Sequence, residues 1–271
     1  RDSPYVFPVY FGQRESENNL QGFMHRSMVP SRKVEFVPYA ELHCHSWFSF
    51  NEGASSIDEL VSRAHELQYE AIALTDHDNL SGAMQFAQIT KSLNMRGIIG
   101  AELTVEKTAH LTVLVKTPEG YANLCRLLSF AHTFGRERKK PTIPFSVLGD
   151  HSKGLIGLSG CSRGEIPKLI SAGKHYEAEK ATKQYMECFG SSNFFVELQQ
   201  NLVKGDTSRN KALISLAKTL KIGTVATNNV HYHIRERHKL QDCLVAIGEQ
   251  KSLEETHSHR RPNSEFHFKT V

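Results

Sequence analysis

From about residue 37 to residue 250 the chain alternates short apolar runs with amphipathic helical segments, and that alternation limits the fold more than any other feature. A strand-like stretch from Val37 to His45 is followed by Ser56-Ile57-Asp58-Glu59, a capping-box signature, with Ile57, Leu60, Val61, Ala64 and Leu67 at helical spacing. The apolar run AIAL, ending in TDHD, precedes a second helix expected from about Asn79 to Leu93. GIIGAELTVE, HLTVLVK and GLIGLSGCS read as strands and GYANLCRLLSFAH as a helix. Helices near 164–172 and 175–189, the strand FFVELQ, a helix at 207–220, the strand GTVATNN and a helix at about 235–248 complete the series. Six or seven strands alternating with helices predict a mostly parallel sheet, open or closed into a barrel. No G-x-G-x-x-G and no Walker-type lysine loop follows a strand, which leaves the barrel as the better reading.

A length of 271 residues suits one large core. Residues 1–36 read as an irregular N-terminal arm, 37–250 as the barrel and 251–271 as a C-terminal segment. The chain opens on Arg1 rather than Met, which fits a piece of a longer protein. Its five cysteines form no CxxC pair and no even disulfide framework, so a reducing cytoplasm is expected. No apolar run approaches the ~18 residues of a membrane span. A net charge of +4, from 33 basic and 29 acidic residues, favours anionic partners only mildly. The segment GRERKKP, with Arg136, Arg138, Lys139 and Lys140, reads as a solvated loop that could also guide a nucleic-acid backbone. His257 and His259 read as exposed tail.

The other histidines are harder to set aside, because metal-capable residues collect at strand ends, where parallel α/β folds build their sites. His43-x-His45 closes the first strand, and period-two alternation points both imidazoles to one face. Glu52 lies in the following loop, Asp76, His77 and Asp78 where the second strand runs out, and Glu102 in IIGAELT. His110 opens HLTVLVK, Cys161 ends GLIGLSGCS, and Asn229 and His231 finish VATNNVHYH. Singly, each has an ordinary explanation: an incidental HxH, a helix-capping Asp, a core thiol. Together, as ligand types at successive strand termini, they point to a metal site. Imidazoles, carboxylates and one thiolate suit Zn, Mn or Fe, and so many ligands exceed the four of one structural zinc, implying two or three divalent ions. Such a cluster suits phosphoester hydrolysis. Asp76 is expected to orient a neighbouring ligand. Arg163 is a candidate phosphate clamp, though an ordinary surface arginine is nearly as good an account. Glu197 reads as a structural hydrogen-bonding group near the site.

The motifs ELHCHSWFSFNEGAS, ALTDHDNLSGA, GAELT, HLTVLVKTPEGYANLCRLLS, SGCSRGEIPKLI and ATNNVHYH, in this order, resemble the PHP (polymerase and histidinol phosphatase) domain. The likeness is closest to the form at the N-terminus of bacterial DNA polymerase III alpha subunits of the error-prone DnaE-like branch, and HRRPNSEFHFK resembles the junction to a polymerase body. The resemblance implies a distorted (β/α)7 barrel with a trinuclear site held by His43, His45, Glu52, His77, Glu102, His110, Cys161, Asn229 and His231. Glu52 replaces the family's frequent Asp and keeps the charge. Asn229 replaces an Asp and loses it, which is expected to weaken at least one metal position. Three functions follow as expectations. The first is a phosphoesterase on nucleic acid, a 3′-to-5′ exonuclease acting on single-stranded DNA or a 3′ end beside a polymerase body or other replication and translesion proteins. The second is a catalytically weakened scaffold domain of a polymerase. The third is a free-standing phosphatase of a small monoester such as histidinol phosphate or a nucleotide.

Overall fold

The computed structural model describes residues 38–106, 108–133 and 140–270. The N-terminal arm expected over 1–36, and the basic loop apart from Lys140 and Pro141, lie outside these residues. Seven strands follow one another in space in chain order: β1 (Ala40–Glu41), β2 (Ala71–Leu74), β3 (Arg96–Val105), β4 (Ala109–Val115), β5 (Leu155–Leu158), β6 (Phe194–Gln199) and β7 (Thr224–Thr227). The sheet closes on itself where Cys44, just past β1, bridges in parallel to Val230, just past β7. His45 N donates to Val230 O at 2.8 Å and Val230 N to His43 O at 2.9 Å across that seam. The result is the seven-stranded α/β barrel expected from the sequence.

The expected mostly parallel sheet is interrupted by β4, which pairs antiparallel with both β3 and β5. The reason is the length of the β3–β4 connection: residues 106–108 suffice for a hairpin but not for the crossover that a parallel pair requires. Reversal puts the first residues of β4 at the same barrel end as the last residues of β3, with Thr104 opposite His110.

The helices are α1 (Ile57–Glu66), α2 (Ala83–Ser92), α3 (Pro118–Thr133), α4 (Phe145–Asp150), α5 (Glu165–Ser171), α6 (His175–Phe189), α7 (Asp206–Leu220) and α8 (His238–Glu249). The capping box that predicts α1 is formed: Glu59 N donates to Ser56 Oγ and Ser56 N to the Glu59 carboxylate. The second helix begins at Ala83 rather than at Asn79, because Asn79 makes turn contacts instead, its Nδ2 donating to Phe48 O and His77 O. The short helix α4 was not expected, and the last helix opens with a 3-10 turn at Arg235–Arg237. Among the described residues no helix is long and apolar enough to cross a membrane, and all five cysteines are free.

Burial explains where the site lies. Ala71, Ala73, Ile98, Leu114 and Leu158 form a cluster to which only strand residues contribute, with Phe195 and Val225 packed on it, filling the barrel interior. By the two-residue period of a strand, Ile98 shares its face with Glu102, Leu114 with His110, Phe195 with Glu197 and Val225 with Thr227. The interior face is thus apolar at one end and polar at the other. The helices cover the outside through two larger clusters, one around α1, α2 and the first strands and one around α3 to α7. The segment after α8 packs back on the barrel: Phe266 and Phe268 are buried, and His267 bridges to Tyr232.

Candidate metal centre

Glu102 is the hub of the polar end. It is buried on β3, and four imidazoles converge on its carboxylate: His43 Nε2 at 3.2 Å from Oε1, and His45 Nε2 at 3.6 Å, His77 Nδ1 at 3.3 Å and His110 Nδ1 at 3.0 Å from Oε2. Two sets of three ligand-type groups result, His43–His45–Glu102 and His77–Glu102–His110, with Glu102 common to both. His43 Nε2 and His45 Nε2 are 3.1 Å apart. The inner atoms Glu102 Oε1, His77 Nδ1 and Glu52 Oε2 are buried without a hydrogen-bond partner. Orphaned buried polar atoms cost free energy unless something satisfies them, and three at and beside the two sets suit divalent cations. The residues present therefore fit metal ions around Glu102.

The outer nitrogen of each of three histidines is held from behind. His43 Nδ1 lies 2.7 Å from Glu197 Oε1 and 3.1 Å from Thr112 Oγ1; Glu197 also accepts from Gln199 Nε2 and Thr227 Oγ1. A carboxylate only accepts, so the proton sits on Nδ1 and Nε2 faces the centre. His45 Nδ1 lies 3.2 Å from Ser49 Oγ, which donates to Asp76 at 2.7 Å. Asp76 is buried and also takes Ser46 N and Ser46 Oγ, each at 2.7 Å. Its link to the centre runs through Ser49, which lies between it and His45. His77 Nε2 lies 3.1 Å from Asp78 Oδ2, itself fixed by Thr104 N and Oγ1. Such outer contacts set the tautomer and orientation of ligating imidazoles.

The charges follow from this arrangement. Burial alone would lower His43, but Glu197 and Glu102 outweigh it and raise its pKa to about 10. For His77, burial is outweighed by Asp78 and Glu102, raising it to about 11. His45 has only a serine behind it, and burial wins, lowering it to about 3. Glu102, which burial would raise, is held well below the usual carboxylate range by His110 and His43.

The remaining predicted residues lie at the margin. Cys161 is buried with Sγ 3.7 Å from His110 Nδ1, beside the second set, and burial and Glu102 push its thiol up. Glu52 Oε2 is 3.7 Å from His77 Nδ1, while Oε1 pairs with Arg163 at 3.2 Å; Arg163, half exposed, stands at the rim. Asn229 Oδ1 lies 3.0 Å from His231 Nε2, and the His231 ring stacks on His45 at 4.5 Å. Among the described residues no hydrogen bond or ion pair joins Asn229 or His231 to Glu102, and neither belongs to the two sets.

Sequence reasoning missed Ser49 and Thr112, whose hydroxyls carry no motif signal, and Arg261. The last comes from the segment after α8, and its guanidinium hydrogen-bonds to His231 Nε2 and lies 4.8 Å over the Phe266 ring. With Arg163, Arg209, His259 and Arg260 it lines a cleft leading to the rim. Arg209 is paired with Asp206 and Arg260 with Asp242.

Known proteins match this arrangement in sequence. The PHP domain profile covers residues 41–201. The error-prone DNA polymerase of Symbiobacterium thermophilum is 38% identical over 248 residues, 86% of this chain and 23% of that protein. DNA polymerase III subunit alpha of Treponema pallidum is 36% identical over 248 residues, 86% of this chain and 21% of that protein. The chain thus spans less than a quarter of the length of these relatives. An amidohydrolase from Chromobacterium violaceum shares the fold, with TM-score 0.51, 14% identity, and coverage of 71% of this chain and 87% of that one. The profile match, together with the order of strand-end ligands around Glu102, means that this chain belongs to the PHP domain family.

Proposed function

We propose that this domain is a metal-dependent phosphoesterase that hydrolyses phosphodiester bonds of nucleic acid, as a 3′-to-5′ exonuclease in the setting of a polymerase. The observation that carries the reading is Glu102 shared between two three-ligand sets with unsatisfied inner atoms. Divalent ions, if held there, would supply Lewis-acid polarisation of a phosphoryl oxygen and a water of lowered pKa. His43, His45, His77, Glu102 and His110 are the residues that hold them, with Cys161 and Glu52 beside the second set. Glu197, Asp78 and the Asp76–Ser49 pair keep the imidazoles aimed inward. Arg163 offers its guanidinium to a substrate phosphate at the rim once its pairing with Glu52 opens. The arginine-lined cleft suits a polyanion better than a single small ester, and the likeness to DNA polymerases favours DNA over other phosphodiesters.

The scaffold reading draws support from one observation, the neutral amide of Asn229 beside His231. One experiment separates the readings. Manganese-loaded protein is incubated with 3′-labelled single-stranded DNA and, separately, with a chromogenic phosphate monoester. Release of mononucleotides, lost by on the order of 100-fold or more in Glu102→Gln, is expected. Cleavage of the monoester alone points to a small-molecule phosphatase. An inert protein that survives metal loading makes the domain a scaffold.

A further inference from the structure

The His231 side of the centre is built differently from the Glu102 side. His231 Nδ1 lies 2.9 Å from the carbonyl oxygen of Glu52. A carbonyl only accepts, so Nδ1 carries the proton and Nε2 presents a lone pair. Asn229 Oδ1 lies 3.0 Å from that nitrogen, an acceptor beside an acceptor that favours a positive group at Nε2. The positive group in contact is Arg261, whose nitrogens only donate and which stays charged at any physiological pH. Its place is fixed from two directions: the guanidinium covers Phe266, and the Phe266 carbonyl accepts His231 N at 2.9 Å. The segment that carries the cation is therefore zipped to the segment that carries the ligands. A divalent ion brought to Nε2 would meet this charge at contact distance, without an anionic carboxylate at position 229 to offset it.

We propose that the Arg261 guanidinium takes the place of a divalent ion at His231 and Asn229, so that metal loading is confined to the two ligand sets that share Glu102. The inference concerns which cation occupies which end, and it holds whether the substrate is DNA or a monoester. Asn229 has φ 49°, a region open to Asp as to Asn, so Asn229→Asp is compatible with the backbone.

The test counts ions and locates them. Wild-type protein is saturated with zinc, freed of excess and assayed by elemental analysis, and crystals are measured at the zinc edge. At most two ions per chain are expected, with anomalous peaks beside Glu102 and none within coordination distance of His231 Nε2. The double variant Arg261→Gln, Asn229→Asp, verified as folded by circular dichroism, is expected to gain one ion per chain. A zinc peak on His231 Nε2 in the wild type, a wild type without zinc at Glu102, or an unchanged count in the folded double variant overturns the proposal. If the double variant does not fold, the wild-type anomalous map decides alone. Protein that loads ions at Glu102 only and cleaves nothing leaves this inference standing while it removes the hydrolytic reading.

Discussion

Three imidazoles of the centre owe their aim to groups that never reach its interior. Glu197 behind His43, Ser49 behind His45 and Asp78 behind His77 each fix one ring nitrogen and free the other. Glu197→Gln and Ser49→Ala are expected to weaken metal affinity by about 10- to 100-fold while leaving the circular dichroism spectrum unchanged. Competition against a chelator measures this, and wild-type affinity in both variants would show that these contacts do not matter. The raised pKa values of His43 and His77, about 10 and about 11, mean that both rings are protonated near neutrality when no metal is bound. An ion must displace protons from them, so affinity is expected to climb as pH rises towards 10. Calorimetry in buffers of different ionisation enthalpy should register between about one and two protons released per chain; release of none contradicts the assignment. The residues that gather around Glu102 were legible as candidate ligands because each is a metal-capable residue at or near a strand end. Ser49, Thr112 and Arg261 were not, because a hydroxyl or a guanidinium acquires its role only from partners far away in the chain.

At the level of elements, two joints hold the polar end together. One is the loop from Ser46 to Gly53 after β1, which delivers Glu52. A Cβ on Gly53 would lie 1.9 Å from the Ser46 carbonyl oxygen, a backbone atom that cannot step aside. Gly53→Ala is therefore expected to lower stability by about 1–3 kcal/mol and to loosen metal binding, read as a fall in melting temperature and in affinity together. Neither change would mean that the loop tolerates displacement. The other joint is Glu41, buried under the seam, whose carboxylate takes His43 N and Asn228 N and binds β1 to the end of β7. Glu41→Ala leaves those donors unsatisfied and should cost roughly 1–3 kcal/mol in denaturant melts. A stability equal to wild type would show the seam to be held elsewhere. Periodicity and capping residues exposed most elements, including the capping box of α1. They could not show the reversal of β4, since strand direction depends on the length of a connection rather than on the pattern inside a strand. The late start of α2 followed from Asn79 bonding to Phe48 and His77 instead, turn contacts that the helical pattern does not contain.

For the molecule as a whole, the barrel interior joins an apolar end to a metal-capable end, so stability and loading are linked. At an ion concentration about 100 times the dissociation constant, one bound ion adds about 2.7 kcal/mol. Chelation is then expected to lower the melting temperature by roughly 5–10 °C. A melting curve indifferent to chelator would mean that the ligands are satisfied without metal. The reversed β4 also bears on the order in which the site can assemble. His77, Glu102 and His110 lie just past β2, in β3 and in the hairpin that follows, and His43 and His45 follow β1, which pairs directly with β2, whereas Asn229 and His231 reach their final places only when the two ends of the sheet meet at Cys44 and Val230. Closing a short loop loses less entropy than closing one that spans the domain. A growing chain can thus bring together both residue sets that share Glu102 before the ring exists, and an ion captured there early would serve as a template on which the last strand docks.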